Sequence, residues 1–166
     1  GVEISEVNCR KWQSKITHVP QSIFLTDGTL AENIAFGIPV KDIDFERVKY
    51  AIDKSLLANL VDDWPDSYNT CIGERGIRIS GGQRQRIGIA RIFYRKSFEV
   101  LVLDEATSSL DSETEAQIMK NIFNIERDIT IIIIAHRVTT LKFCEKIYQI
   151  SHKSPPKLVS YESLKK

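Results

Sequence analysis

Apolar positions recur along this chain in two rhythms. Unbroken runs at Val100-Leu101-Val102-Leu103 and Ile131-Ile132-Ile133-Ile134-Ala135 predict strands buried on both faces, since neither side of the pleat offers water a polar position. Between the runs, Ala116, Met119 and Ile122/Phe123 point inward from a helix that starts after Asp111. The stretch from Phe98 onward is therefore a strand, a helix and a strand. Such a unit crosses over right-handed and sets Asp104 and His136 on one edge of a parallel sheet. A shorter strand, Lys15-Ile16-Thr17-His18-Val19, is ended by Pro20 and Gln21.

The second rhythm is helical. Thr29 caps a short helix through Leu30 and Ile34, stopped by Gly37 and Pro39. Asp44 caps the next, with Val48, Ile52, Leu56 and Leu60 at four-residue spacing on one face and Pro65 closing it. Tyr68–Ile79 is turn-rich and reads as a loop. From Gln83 through Arg95 a helix presents Ile87, Ala90 and Tyr94 to one side and Arg84, Arg91 and Arg95 to another; Arg84, Arg86 and Arg91 read as a solvated face. A weaker strand, Lys146–Ser151, and a last one, Lys157–Ser160, flank a turn through Ser154-Pro155-Pro156.

Polar chemistry collects where these elements begin and end. Ser80 is a good N-cap, and Gly81 and Gly82 let a ligand approach the backbone closely. The free N–H groups of the following helix and its positive dipole end then make an anion site, most naturally for phosphate. One apolar strand ends in the acids Asp104 and Glu105 and the other in His136, which suits a metal–phosphate site at the carboxyl edge of the sheet. Taken singly, each feature has a plainer reading: paired acids after a strand also cap turns, and a lone histidine there is usually solvated. His18 and His152 keep that plainer reading.

Taken in order, the features are specific. Val19-Pro20-Gln21 resembles the Q-loop of ATP-binding-cassette (ABC) ATPases, and Ile79-Ser80-Gly81-Gly82-Gln83 resembles their signature motif. Val100–Glu105 resembles the Walker B strand with its catalytic glutamate, Ser108-Ser109-Leu110-Asp111 the D-loop, and His136 the switch histidine. Glu74-Arg75-Gly76 is similar to a segment typical of exporters. The resemblance runs from Ile16 to about Ile150 in the family's own order. It implies an α/β fold: a partial P-loop NTPase (RecA-like) core with a parallel sheet, plus the ABC α-helical subdomain. Residues 1–28 would be a sheet segment ending in the Q-loop, 29–97 the helical subdomain with the signature, and 98–166 the core with Walker B, D-loop and H-loop.

The resemblance also implies roles. Glu105 would polarise the water that attacks the γ-phosphate of ATP, and Asp104 would hold Mg²⁺ through its water shell. Gln21 would contact the metal or the lytic water, and His136 would hydrogen-bond the γ-phosphate and steady Glu105. Ser80, Gly81, Gly82 and Gln83 would bind the ATP of an opposite subunit in a head-to-tail dimer, with Asp111 at the seam. Partners implied are a second nucleotide-binding domain and a transmembrane domain, at the cytoplasmic face of a membrane. Alternatives are a catalytically inactive fragment and a soluble, non-transport ABC ATPase.

Two sequence facts qualify this. The pattern G-x-x-x-x-G-K-[ST], which holds the β- and γ-phosphates, is absent, because none of the 8 glycines is followed by lysine. With Gly1-Val2-Glu3-Ile4 resembling a segment between P-loop and Q-loop, the expectation is a C-terminal piece of a larger domain, inactive alone and with apolar surface exposed on the strands at Ile16–Val19 and Val100–Leu103. Ser151–Ser160 also departs from exporters: it lacks the glycine-centred hairpin and carries Pro155-Pro156.

Composition narrows the rest. A net charge of +1 gives no broad basic surface for nucleic acid. Cys9, Cys71 and Cys144 are odd in number and far apart, which suggests reduced thiols in place of a disulfide framework or zinc site. The longest apolar run, Ile131–Ala135, is far short of the ~20 residues that span a bilayer.

Overall fold

The computed structural model describes residues 3–73, 77–126, 128–151 and 154–165. The start of the Gly1–Ile4 stretch, the Glu74–Gly76 segment and His152 lie outside the described residues. A short helix α1 (Cys9–Gln13) precedes strand β1 (Ile16–Val19). Strand β2 (Gly28–Thr29) leads into helices α2 (Leu30–Ile34), α3 (Phe45–Lys54) and α4 (Ala58–Asp62), then strand β3 (Cys71–Ile72). The long helix α5 (Gly81–Tyr94) returns the chain to β4 (Val100–Asp104), α6 (Ser112–Phe123) and β5 (Thr130–Ile134). A hairpin of β6 (Ile147–Ser151) and β7 (Ser154–Val159) follows.

The strand–helix–strand unit is as expected: β4 pairs parallel with β5, aligning Asp104 with Ile134. On its other side β4 pairs parallel with β1, aligning Val19 with Leu103. The order β1-β4-β5 puts β4 in the centre. Burial on both faces does not hold. Val19, Leu101 and Leu103 join Ile87 and Ile92 of α5 and Ile118 and Ile122 of α6 in one core. The opposite face is open, with Ile132 48% and Ile134 50% exposed. The apolar run of β5 is thus a half-buried strand, its Ile131 and Ile133 packed against the core and its Ile132 and Ile134 facing out. Within the three-stranded sheet the exposed large apolar side chains are Ile132 and Ile134 of β5, next to the strands where exposure was expected.

Around the sheet, local chemistry explains most boundaries. Thr29 and Glu32 form a capping box that starts α2, each side chain bonding the other's backbone N–H. Asp44 starts α3 by accepting from Arg47 N–H at 3.2 Å. The single helix expected from Asp44 to Pro65 is two. Ser55 Oγ donates to the carbonyls of Ala51 and Ile52, and Leu56 takes a left-handed φ of 58°, which ends α3 and lets α4 restart. Leu57 then occupies the core, fully buried, while Leu56 and Leu60 only border it.

Three further expectations shift. On α6 the inward stripe is Glu115, Ile118, Met119 and Ile122, and Ala116 faces out. Arg86 and Arg91 are not a solvated face: Arg86 donates to Leu56 O at 2.5 Å, and Arg91 reaches the carbonyls of Asn33 and Phe24 and lies over the Phe36 ring. Burial pushes the Arg91 guanidinium down to about 10. Pro155 and Pro156 lie within β7, not in a turn before it, which a two-stranded hairpin with free edges tolerates. The loop Tyr68–Ile79 holds β3, paired antiparallel to β2.

Candidate active site at the carboxyl edge of the sheet

Three adjacent strands deliver three side chains to one point. Gln21 lies two residues past β1, Glu105 directly follows β4, and His136 lies two residues past β5. Because β4 is central, Glu105 stands between the other two. Gln21 Nε2 donates to Glu105 Oε2 at 2.7 Å, and His136 Nε2 meets Glu105 Oε1 at 2.8 Å. Each carboxylate oxygen thus has its own partner. The Glu105 side chain is only 19% exposed, while that of His136 is 84% exposed.

Glu105 is also backbone-strained. Its φ of 48° is left-handed, a conformation that costs a non-glycine residue on the order of 1–3 kcal/mol. Its N–H donates to Ile134 O at 2.9 Å, so the strand pairing continues one step past β4 while the chain turns. That turn aims the carboxylate between the neighbouring loops. Asp104, the last residue of β4, makes no side-chain hydrogen bond among the described residues.

The segment Ser80–Gln83 is a second, separate place. Ser80 Oγ accepts from Gln83 N–H at 3.2 Å and Gln83 Oε1 from Ser80 N–H at 2.9 Å, a capping box that opens α5. A Cβ on Gly82 would lie 3.1 Å from Ser109 O, a tight approach that the glycine relieves. Among the described residues no side-chain hydrogen bond joins Ser80–Gln83 directly to the Gln21–Glu105–His136 group. The link is Gln85, which sequence reasoning missed. This buried amide accepts from Ser109 N–H at 2.8 Å and donates to Ser108 Oγ at 2.8 Å and Glu105 O at 3.4 Å. Asp111 caps α6 by accepting from Glu113 and Thr114 N–H groups, and these backbone donors, Thr114 first, hold its carboxyl below the ordinary value.

Glu115 and Arg137 were missed as well. Glu115 sits on the apolar stripe of α6, and an acid on such a stripe needs a buried partner, which was the available signal. Its partner is Arg137, next to His136.

The ABC transporter family model matches residues 1–108. The chain belongs to the ABC transporter family. Among its curated relatives, the multidrug resistance ABC transporter ATP-binding and permease protein of Lactococcus lactis subsp. lactis (strain IL1403) is 40% identical over 150 residues, covering 90% of this chain and 25% of that protein. The ATP-dependent lipid A-core flippase of Ralstonia nicotianae is 37% identical over 153 residues, covering 92% of this chain and 26% of the flippase. A solved structure of a bacterial Atm1-family ABC exporter with ATP bound matches with a TM-score of 0.75 and 32% identity over 84% of this chain and 24% of that one. The chain spans about a quarter of the length of the curated relatives it matches. The α/β fold with a parallel sheet is therefore that of an ABC exporter's ATP-binding portion, and the expected family and fold class are borne out.

Proposed function

We propose that the chain forms part of the ATP-hydrolysing motor of an ABC exporter. The observation that carries this is the Gln21–Glu105–His136 chain of contacts at the ends of three adjacent parallel strands. Phosphoryl transfer to water is chiefly a matter of positioning and charge stabilisation, and this geometry supplies both. Glu105 acts as the general base: fixed by a partner on each oxygen, it takes the proton of an attacking water. His136 donates through Nε2 to Glu105 and keeps the carboxylate oriented, and its solvent-open ring leaves Nδ1 for the terminal phosphate. Gln21 bonds Glu105 through its amide nitrogen, which leaves its amide oxygen for a metal or water.

The residues present fit Mg–ATP. Mg²⁺ is commonly held by one or two carboxylates with waters and phosphates completing the shell, and Asp104, with no side-chain hydrogen bond among the described residues, is such a carboxylate at the strand end. Asp104 and the Gln21 amide oxygen are the hard donors that would hold it. When bound, the ion would neutralise charge developing on the phosphates. The N-terminus of α5, Ser80, Gly81, Gly82 and Gln83, faces a phosphate of ATP held by a second nucleotide-binding domain, with the N–H groups of Gly81 and Gly82, which the capping box does not use, as its backbone donors. Asp111, exposed at the start of α6, would lie at that seam.

In this reading residues 1–28 and 98–166 belong to the catalytic core and 29–97 to the helical subdomain. A transmembrane domain is the partner that turns hydrolysis into export, at the cytoplasmic face of a membrane. Among the described residues no helix is long and apolar enough to cross a membrane. Calorimetry of Mg–ATP tests the reading, with this chain beside a form extended upstream through a G-x-x-x-x-G-K-[ST] loop. The extended form is expected to bind, and this chain to bind weakly at most. Failure of the extended form to bind would overturn the proposal.

A further inference from the structure

Beside Glu105 stands a second carboxylate with more hydrogen-bond partners. Glu115, on α6, is 3% exposed. Its Oε1 accepts from Thr107 Oγ1 at 2.7 Å and Thr140 Oγ1 at 2.6 Å. Its Oε2 accepts from Arg137 Nη1 at 3.1 Å. The same guanidinium donates from Nη1 to Leu110 O at 2.7 Å and from Nη2 to Ser108 O at 3.1 Å. One ion pair therefore ties together the loop after β4, through Thr107, Ser108 and Leu110, and the loop after β5, through Arg137 and Thr140. These are the two loops that carry Glu105 and His136. Between them lies a small cleft lined by Glu105, His136 and this same ion pair.

Stability alone is a poor reason for such an arrangement. Glu115 is buried while the Arg137 side chain is 42% exposed, and the cost of desolvating the carboxylate opposes the attraction of the pair, so its net stabilisation is small. What it does supply is geometry. The planar fork of Arg137 satisfies three acceptors from two elements at once, which a lysine's single ammonium could not reproduce. A shift of either loop by an ångström would break charge-assisted bonds in a buried place.

We propose that Glu115 and Arg137 are positioning residues, a strut anchored on the buried Glu115 that holds His136 against Glu105 at the distance the hydrolytic step requires. The inference rests on the reading of Glu105 and His136 given above. Neither strut residue touches the reacting atoms. Each acts through His136, and that makes the proposal separable from a general loss of structure.

The test is a double-mutant cycle in the full-length protein, with single-turnover Mg–ATP hydrolysis and ATP affinity measured for each variant. In the presence of His136, Arg137→Lys and Glu115→Gln should each slow hydrolysis by about tenfold while ATP affinity changes less than about twofold. In a His136→Ala background the same substitutions should change the rate by less than about twofold, because the group they position is gone. Equal slowing in both backgrounds would overturn the strut, as would no slowing in either. Should these variants fold poorly, Thr140→Val trims one bond from Glu115 and should slow hydrolysis about threefold in the first background only. A His136→Ala protein that hydrolyses ATP at the parental rate overturns the site reading itself. That failure shows in the single variant, before the cycle is closed.

Discussion

The carboxyl edge of the parallel sheet and the hairpin that follows it are held by different forces. At the edge, side chains bond side chains and loop carbonyls: Gln21 and His136 on Glu105, Gln85 on Ser108 and Ser109, Glu115 on Thr107, Thr140 and Arg137. The hairpin is joined by strand pairing, from Ile147–Val159 to Ser151–Ser154, with Tyr148, Ile150 and Leu158 exposed and Ile147 as its buried anchor. Backbone pairing accepts nearly any side chain. A side-chain network accepts few. The difference predicts where substitution is costly, and it locates the chemistry where geometry is over-determined.

The comparison breaks most sharply in activity. His136→Ala should lower ATP turnover of the full-length protein by about 10²-fold or more, whereas Leu158→Ser in the hairpin should leave it within about twofold. Equal losses from both would remove the distinction. A smaller contrast lies in stability. Leu101→Ala, beneath the site in the central strand, should cost about 2–5 kcal/mol by denaturant midpoint, and Tyr148→Ala in the hairpin less than about 0.5 kcal/mol. Thr29→Ala removes one half of a capping box away from both regions and should cost about 1 kcal/mol.

The smallest effect is one of pH. Backbone donors hold the Asp111 carboxyl below its ordinary value of 3.8, and a backbone donor with Lys96 does the same for Asp44. A lowered carboxyl contributes its full stabilisation above about pH 4 and loses it as pH falls through the lowered value. Asp111→Asn keeps a capping oxygen without the titration. It should therefore flatten the acid side of the stability profile slightly, and a profile of unchanged steepness would assign the acid loss elsewhere.

Much of the edge was legible in the chain, for a simple reason. Two apolar runs separated by a helix allow one handed arrangement, and that arrangement alone puts Asp104, Glu105 and His136 together. Gln21 came from the resemblance of Val19-Pro20-Gln21 to the Q-loop, since a glutamine after a short strand is a weak signal by itself. What was not legible depends on partners distant in sequence. Gln85 and Arg137 are ordinary polar residues until the fold brings Ser109 and Leu110 to them, and Glu115, though an acid on an apolar stripe, carries no mark of its partners Thr107, Thr140 and Arg137. The helix break at Leu56 turns on Ser55 bonding backward to Ala51 and Ile52, which no apolar spacing reveals. The open face at Ile132 and Ile134 is a matter of what packs against β5, and an apolar run reads alike whether one face is covered or two. Arg86 and Arg91 looked like a solvated face because their acceptors, the carbonyls of Leu56, Asn33 and Phe24, carry no mark in the sequence.

The account stands on Glu105 as the base between Gln21 and His136. The direct measurement is single-turnover hydrolysis and binding of Mg–ATP by the full-length protein with Glu105→Gln, a change that preserves shape and removes the proton acceptor. Binding should persist while hydrolysis falls about 10²- to 10⁴-fold. Hydrolysis at the parental rate would contradict the assignment and send the search for the base elsewhere on the sheet edge.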